Sequence, residues 1–288
     1  MAAQSMGTLF STLRPRQWLK NLVVFAPLVF AARFSDLEEI KNASAAFVIL
    51  CLISGALYIC NDLKDSEQDR LHPTKRMRPI ASGTISRTHA RIFAFFLIGI
   101  GLGLGYVLGP LVLSATLGFI AVNTIYILAG KNVAILDVML IGASFVMRVL
   151  VGAAAVMAPA SAWLLLTLFF LATYLGFTKR AGELKIRDIG GRVSLEDYSQ
   201  LFLDHARSVT LTITLTLYTL YTFNSPYSPY MTLTVPFVFF GLLRYQAIVD
   251  RDNGANDGPS DHIYLDRSLQ YAVIGWGITV FVIIGILR

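Results

Sequence analysis

Apolar residues in this chain come in runs of helix-spanning length, broken by short polar and charged stretches, and lack the period-2 alternation of a half-buried strand. About 20 consecutive apolar residues suffice to cross a bilayer as a helix. The pattern therefore predicts an all-α polytopic membrane protein with nine spans, near residues 18–33, 43–60, 90–108, 110–129, 133–156, 161–178, 207–224, 230–248 and 268–287. Basic residues orient them. Arg14, Arg16 and Lys20 precede the first span, seven Lys/Arg from Lys64 to Arg91 follow the second, and five from Lys179 to Arg192 follow the sixth. The opposite connections are nearly bare of Lys and Arg, so the N-terminus is expected on the cytoplasmic side and the C-terminus outside. The first run follows a lead, 1–15, and is read as a retained helix, not a signal peptide.

On this layout the three long polar loops, 61–89, 179–206 and 244–267, face one compartment, and function is expected there. The first two follow spans four helices apart, an offset of roughly 118 residues, which suggests two parallel four-helix bundles with a ninth helix added. No linker or low-complexity tract divides the chain, so residues 1–288 are expected to form a single integral membrane domain.

Composition agrees: 55% of residues are hydrophobic and 15% charged, with a mean hydropathy of +0.63. A soluble globule, a disordered chain, a disulfide scaffold and a nucleic-acid-binding domain are excluded by the same figures. The net charge of +6 follows from topology and does not point to nucleic acid. Cys51 and Cys60 read as small buried hydrophobes, and the four histidines lack metal-ligand spacing.

The chemistry is concentrated where the second run ends, in Asn61-Asp62-Leu63-Lys64-Asp65-Ser66-Glu67-Gln68-Asp69. On a helix Asp62, Asp65 and Asp69 share one face, with Asn61 one turn from Asp65. Crowded carboxylates without His or Cys select a hard cation such as Mg²⁺, which takes its remaining ligands from water and substrate phosphates. Arg70, Lys75, Arg76 and Arg78 follow immediately, and Pro73 and Pro79 allow that segment to fold back over the acids. Acid, metal and base together suit a diphosphate. Arg148, inside the fifth run, is a costly intramembrane charge. It has either a structural hydrogen-bonding role or a place in a substrate cavity; Asp137, three turns away at about 16 Å, is too far to pair with it directly.

The motifs Arg14-Pro-Arg-Gln-Trp-Leu-Lys-Asn21 and Asn61 to Gly83, the segment Lys179-Arg180-x-x-Glu183-Leu184, and Leu243-Arg244-Tyr245 followed by Leu265-Asp266-Arg267 resemble the UbiA superfamily of intramembrane prenyltransferases. Within it, they resemble the branch whose donor is phosphoribosyl pyrophosphate and whose acceptor is a polyprenyl phosphate. The resemblance implies an all-helical bundle with a central cavity open to lipid, in a bacterial-type inner membrane with its active site facing the cytoplasm. It implies Mg²⁺ on Asn61, Asp62, Asp65 and Asp69, and diphosphate or phosphate on Arg70, Lys75, Arg76 and Arg78. Lys20, Lys179, Arg180, Arg244 and Tyr245 would be phosphate or ribose contacts; Glu183 would bind ribose or complete the metal site. The superfamily's second Asp-rich motif is replaced here by the basic stretch from Lys179 to Asp188. Two rivals stay open: transfer of a prenyl group from its diphosphate to an aromatic acceptor, and secondary transport, although carboxylates at the rim are unlike the midplane ion sites of transporters. Homo-oligomerisation is left open.

Overall fold

The computed structural model describes residues 2–186, 193–251 and 266–287, and all regular structure among them is helical. In chain order these are α1 (Ala2–Thr12), a 3₁₀ stretch (Pro15–Phe25), α2 (Ala26–Phe30), α3 (Leu37–Leu71), α4 (Arg87–Leu108), α5 (Pro110–Leu128), α6 (Leu136–Ala155), α7 (Ala162–Ile186), α8 (Gln200–Phe223), α9 (Val235–Arg251) and α10 (Arg267–Leu287). Local chemistry sets several boundaries. Asp36 caps α3, accepting from the Glu38 N–H at 2.9 Å, and Glu38 and Glu39 lie in the first turn where the helix dipole favours anions. Ser86 caps α4 and Ser199 caps α8 in the same way. Between α4 and α5 the chain reverses at Gly109, whose φ of 128° suits glycine, and Pro110 opens the next helix.

The chain forms two compact units. The first comprises Met1–Leu28, Arg33–Gly130 and Met147–Pro159; the second comprises Val29–Ala32, Lys131–Val146 and Ala160–Arg288. In the first unit α3 is central: Ala46, Ile49, Leu50, Ile53 and Leu57 are buried against Val24, Val112, Phe119 and Val151. α3 has 35 residues and is about 52 Å long at 1.5 Å per residue, well beyond the roughly 30 Å of a hydrocarbon core. Its polar end from Asn61 onward is therefore a rigid continuation of a spanning helix. In the second unit α7 and α8 pack most extensively, with Tyr174, Leu211, Tyr245, Val249 and Leu269 forming one core and Val138, Phe177, Tyr198 and Leu203 another.

Among the described residues, seven helices are long and apolar enough to cross a membrane: α3 to α7, the stretch Tyr230–Arg251, and α10. Two of the nine expected spans differ. The run at 18–33 is not one α-helix: it falls in the 3₁₀ stretch, which Pro15 opens, and the five residues of α2, which contain Pro27. Its Asn21 and Val24 are buried inside the first unit, which accounts for an apolar run that tertiary packing buries. The expected lead before it forms α1. The run at 207–224 is helical, as α8, but carries threonines at 210, 212, 214, 216, 219 and 222, which lower its apolarity. Their hydroxyls are turned back on the helix: Thr210, Thr212, Thr214 and Thr219 each donate to the carbonyl four residues earlier.

Gly152 marks the closest approach of α6 to the 3₁₀ stretch. A Cβ there would lie 2.0 Å from the Val24 carbonyl oxygen, which belongs to backbone and cannot swing aside. Gly152→Ala is expected to destabilise by about 1–3 kcal/mol or more, as overpacking does. Gly103→Ala, with nothing within 4 Å of its Cβ, is expected to leave stability unchanged or raise it. Thermal unfolding of the two variants in detergent checks this; equal midpoints would refute the close approach.

Candidate active site

The end of α3 carries two buried carboxylates, Asp62 and Asp69, exposed by only 4% and 5%. Seven residues apart, they sit two turns from each other on one face, Asp69 in the last turn of the helix, where the dipole disfavours an anion. Two guanidiniums compensate. Arg14 Nη2 donates to both oxygens of Asp62, at 2.7 and 2.9 Å. Arg78 Nη1 lies between the two acids, 3.2 Å from Asp62 Oδ1 and 2.7 Å from Asp69 Oδ2. Arg14 occupies the left-handed region at φ 51°, a conformation that costs a non-glycine residue energy, and its guanidinium also covers the Tyr58 ring at 5.4 Å. Asn61 Nδ2 donates to Asp65 Oδ2 at 3.0 Å, so this second pair spans one turn of the same helix.

Arg78 is brought back by the loop after α3. His72 ends the helix and its Nδ1 accepts from the Thr74 and Lys75 N–H groups; a 3₁₀ turn over Lys75–Met77 follows, and Arg78 is extended before Pro79. Arg70 does not join the carboxylates: its Nε donates to the Ala81 carbonyl at 3.1 Å and pins the loop. Arg76 is exposed and Lys75 half-buried on the same turn. Lys64, inside the acidic motif, points elsewhere and caps α5 at the Ile127 and Leu128 carbonyls, 2.6 and 2.7 Å away. Lys20 is half-buried on the 3₁₀ stretch.

Among the described residues no three His, Cys, Asp or Glu side chains are grouped closely enough to hold an ion by themselves. The donor set nevertheless fits a hard divalent cation. Asp62 and Asp69 present carboxylate oxygens to one common cationic nitrogen, that of Arg78, and Mg²⁺ usually completes its octahedron with water and substrate phosphate.

Arg148 is 5% exposed, its Nε donates to Asn21 Oδ1 at 2.9 Å, and its guanidinium lies 4.7 Å from the Phe119 ring centroid. Asn21 is itself 1% exposed and also accepts from Ser54 Oγ at 3.4 Å. These contacts favour the structural reading of this arginine.

In the second unit Arg180 is not an open phosphate fork. Its side chain is 2% exposed; Nε donates to Asp137 Oδ2 at 2.7 Å and Nη1 to Glu183 Oε2 at 2.6 Å. Asp137, fully buried, also accepts from the Tyr198 hydroxyl at 2.7 Å, and that hydroxyl accepts from the Ile135 N–H at 2.6 Å. Burial raises the Tyr198 phenol above its ordinary range, so it stays a neutral donor. Lys179, 42% exposed, is 3.9 Å from Glu183 Oε1. Arg244 forms a fork with Asp266, at 3.2 and 2.5 Å, and holds that carboxyl below the usual aspartate range. Tyr245 is buried in the core with Tyr174, ring centroids 6.4 Å apart. Asp188 and Leu265 lie outside the described residues.

The profile of the UbiA prenyltransferase family matches residues 22–264. The chain belongs to this family. Among relatives, it is 31% identical to the decaprenyl-phosphate phosphoribosyltransferase of Mycobacterium tuberculosis over 96% of this chain and 94% of the relative. It is 33% identical to the Corynebacterium glutamicum protein of the same name, over 93% of this chain and 84% of that one. Solved UbiA homologues share the fold: one from Archaeoglobus fulgidus, bound to DMAPP and Mg²⁺, superposes with a TM-score of 0.75 at 17% identity, covering 97% of this chain and 99% of that one. One from Aeropyrum pernix gives 0.65 at 15% identity, covering 98% and 96%. This UbiA chain is an integral membrane protein with an all-helical fold.

Three groups in this UbiA chain escape a reading of spacing alone. Arg14, which topology accounts for as a cytoplasmic charge, is the fork on Asp62; its place in the first motif was the available signal. Asp137, considered only as a partner for Arg148, pairs with Arg180 on the next helix. Arg207, 4% exposed, donates to Asp250 at 2.8 Å and also to Asp204, linking α8 to α9. The Arg180 network yields a prediction. Breaking a buried ion pair by deleting one member costs about 3–5 kcal/mol, so Arg180→Ala should lower the thermal midpoint sharply while Lys179→Ala should not. The double variant Asp137→Asn/Arg180→Met, which removes the charge of both fully enclosed members and leaves only the partly exposed Glu183 without its guanidinium, should recover part of the loss. A wild-type midpoint for Arg180→Ala would refute the pairing.

Proposed function

We propose that this UbiA chain transfers the 5-phosphoribosyl group of phosphoribosyl pyrophosphate to a decaprenyl-like polyprenyl phosphate at the cytoplasmic face, releasing diphosphate. The observation that carries the reading is the Asp62–Asp69 pair with its guanidiniums at the end of α3, in a chain 31–33% identical, over more than nine-tenths of its length, to relatives named decaprenyl-phosphate phosphoribosyltransferase. Asp62, Asp65 and Asp69, with Asn61, would hold Mg²⁺, which when bound supplies neutralisation of the departing charge. Arg78, with Lys75 and Arg76 on the adjoining turn, serves the diphosphate. In the second unit we assign Lys179 to a phosphate, Glu183 to ribose hydroxyls or metal, and Arg180 to fixing Glu183. Arg244 and Tyr245 keep a secondary phosphate or ribose role.

The bond from ribose C1 to the diphosphate oxygen breaks as a lipid phosphate oxygen bonds to C1. A phosphate monoester is already ionised near neutrality, so no side chain has to remove a proton. What the protein supplies is orientation and fixed positive charge around the leaving group.

Labelled phosphoribosyl pyrophosphate with polyprenyl phosphate should give a labelled lipid, and polyprenyl diphosphate with an aromatic acid should give nothing. Product only in the second reaction refutes the donor. Asp62→Asn should remove turnover per folded molecule, the folded fraction being measured alongside because Asp62 is buried and paired with Arg14 and Arg78; near wild-type activity across a Mg²⁺ titration would overturn the metal role. For the orientation, a cysteine at exposed Asn224 should react with a membrane-impermeant maleimide added outside cells, and one at exposed Ser82 only after permeabilisation. The reverse pattern would place the site on the other face.

A further inference from the structure

The acid pair on α3 is already neutralised: two carboxylates meet two guanidiniums. Asp62 Oδ1 accepts from Arg14 at 2.7 Å and from Arg78 at 3.2 Å. A carboxylate oxygen has two lone-pair sites, so both of its sites are engaged. A divalent cation can bind this oxygen only if one donor leaves, and keeping both guanidiniums beside a doubly charged ion would leave a partly buried excess of positive charge.

The two donors are not equivalent. Arg14 grips both oxygens of Asp62, stacks over Tyr58, and is held by a backbone fixed between α1 and Pro15. Arg78 reaches Asp62 through one nitrogen by the longest bond of the cluster, and it stands on a loop between two prolines, next to the exposed Arg76. Its guanidinium has further N–H groups, and it retains 27% exposure.

We propose that Arg78 is an exchangeable cation. It bridges Asp62 and Asp69 in the resting protein, and it passes to a substrate phosphate oxygen when a divalent cation takes its position between the acids. The acid pair is thus neutral at rest and carries one net positive charge once the metal replaces Arg78, a charge the anionic diphosphate answers, and the arginine that the metal displaces becomes a ligand of the diphosphate that arrives with it. Arg14 remains on Asp62 and keeps its orientation. The proposal rests on the diphosphate-binding role of this site but not on the identity of the sugar donor.

Full-length protein in nanodiscs would be titrated with Mn²⁺ and free ion followed by electron paramagnetic resonance, with and without inorganic diphosphate. Arg78→Gln should bind Mn²⁺ alone about tenfold more tightly than wild type, because no guanidinium competes, a change on the scale of one charge-assisted hydrogen bond. Diphosphate should strengthen Mn²⁺ binding by wild type about tenfold or more, and do much less for Arg78→Gln, which lacks the fork. Arg78→Lys keeps the charge but not the planar fork. Its Mn²⁺ affinity should stay near wild type while the diphosphate effect falls, and it serves as the folded comparison if Arg78→Gln unfolds. Unchanged or weaker Mn²⁺ binding by Arg78→Gln, or an undiminished diphosphate effect in both variants, overturns the exchange. Mn²⁺ binding that diphosphate never assists, even in wild type, overturns the diphosphate site itself. A wrong sugar donor would alter none of these results.

Discussion

Everything at the candidate site depends on balancing the charge of two carboxylates, Asp62 and Asp69, that are nearly removed from water. Their burial brings desolvation and mutual repulsion, and Asp69, in the last turn of α3, also meets the unfavourable end of the helix dipole. Arg14 and Arg78 answer all three, and each requirement shapes the chain around it. Arg14 adopts a left-handed backbone to reach Asp62. The loop after α3 turns at His72 and is pinned through Arg70 to Ala81, which brings Arg78 back over the helix it has just left. α3 is the long rigid element that makes this possible: its apolar part is buried in the first unit, and its last turns carry the acids without a joint between them.

The same constraint recurs at several buried polar groups in both units. In the second unit Asp137 is fully buried and is satisfied by Arg180, Tyr198 and Ser194. In the first unit Arg33 bonds both Glu39 and the Val156 carbonyl just beyond α6, and Lys64 does the same service for α5. The threonines of α8 turn their hydroxyls onto its own backbone. In hydrocarbon an unsatisfied polar group costs several kcal/mol. Several of these charged side chains are thus spent on structure, and only those with exposed nitrogens or oxygens remain for chemistry. Arg76 and Lys179 are exposed, whereas Arg148 and Arg180 are enclosed.

The resulting division of labour separates two kinds of arginine that composition cannot tell apart. Arg180 is enclosed and held between two carboxylates, Asp137 and Glu183. Arg78 is partly exposed on a loop and shares Asp62 with Arg14. Burial and the number of partners decide the difference, and neither is a property of the residue type.

Much was legible along the chain. Runs of apolar residues give an all-helical membrane protein directly, because a bilayer demands about 20 residues of internally bonded backbone. The spacing of Asp62, Asp65 and Asp69 puts them on one helical face, because a helix has a fixed period. What spacing could not give was anything set by contacts distant in sequence. That the run at 18–33 bends through a 3₁₀ stretch under Gly152 depends on how closely α6 approaches, and a hydropathy run is blind to that. That Arg14 reaches Asp62 across 48 positions, and Arg180 reaches Asp137 across 43, depends on which helices pack side by side. Local patterns specify helices because their hydrogen bonds are local; pairing of buried charges is decided only when tertiary packing removes water and forces each charge to find a neighbour.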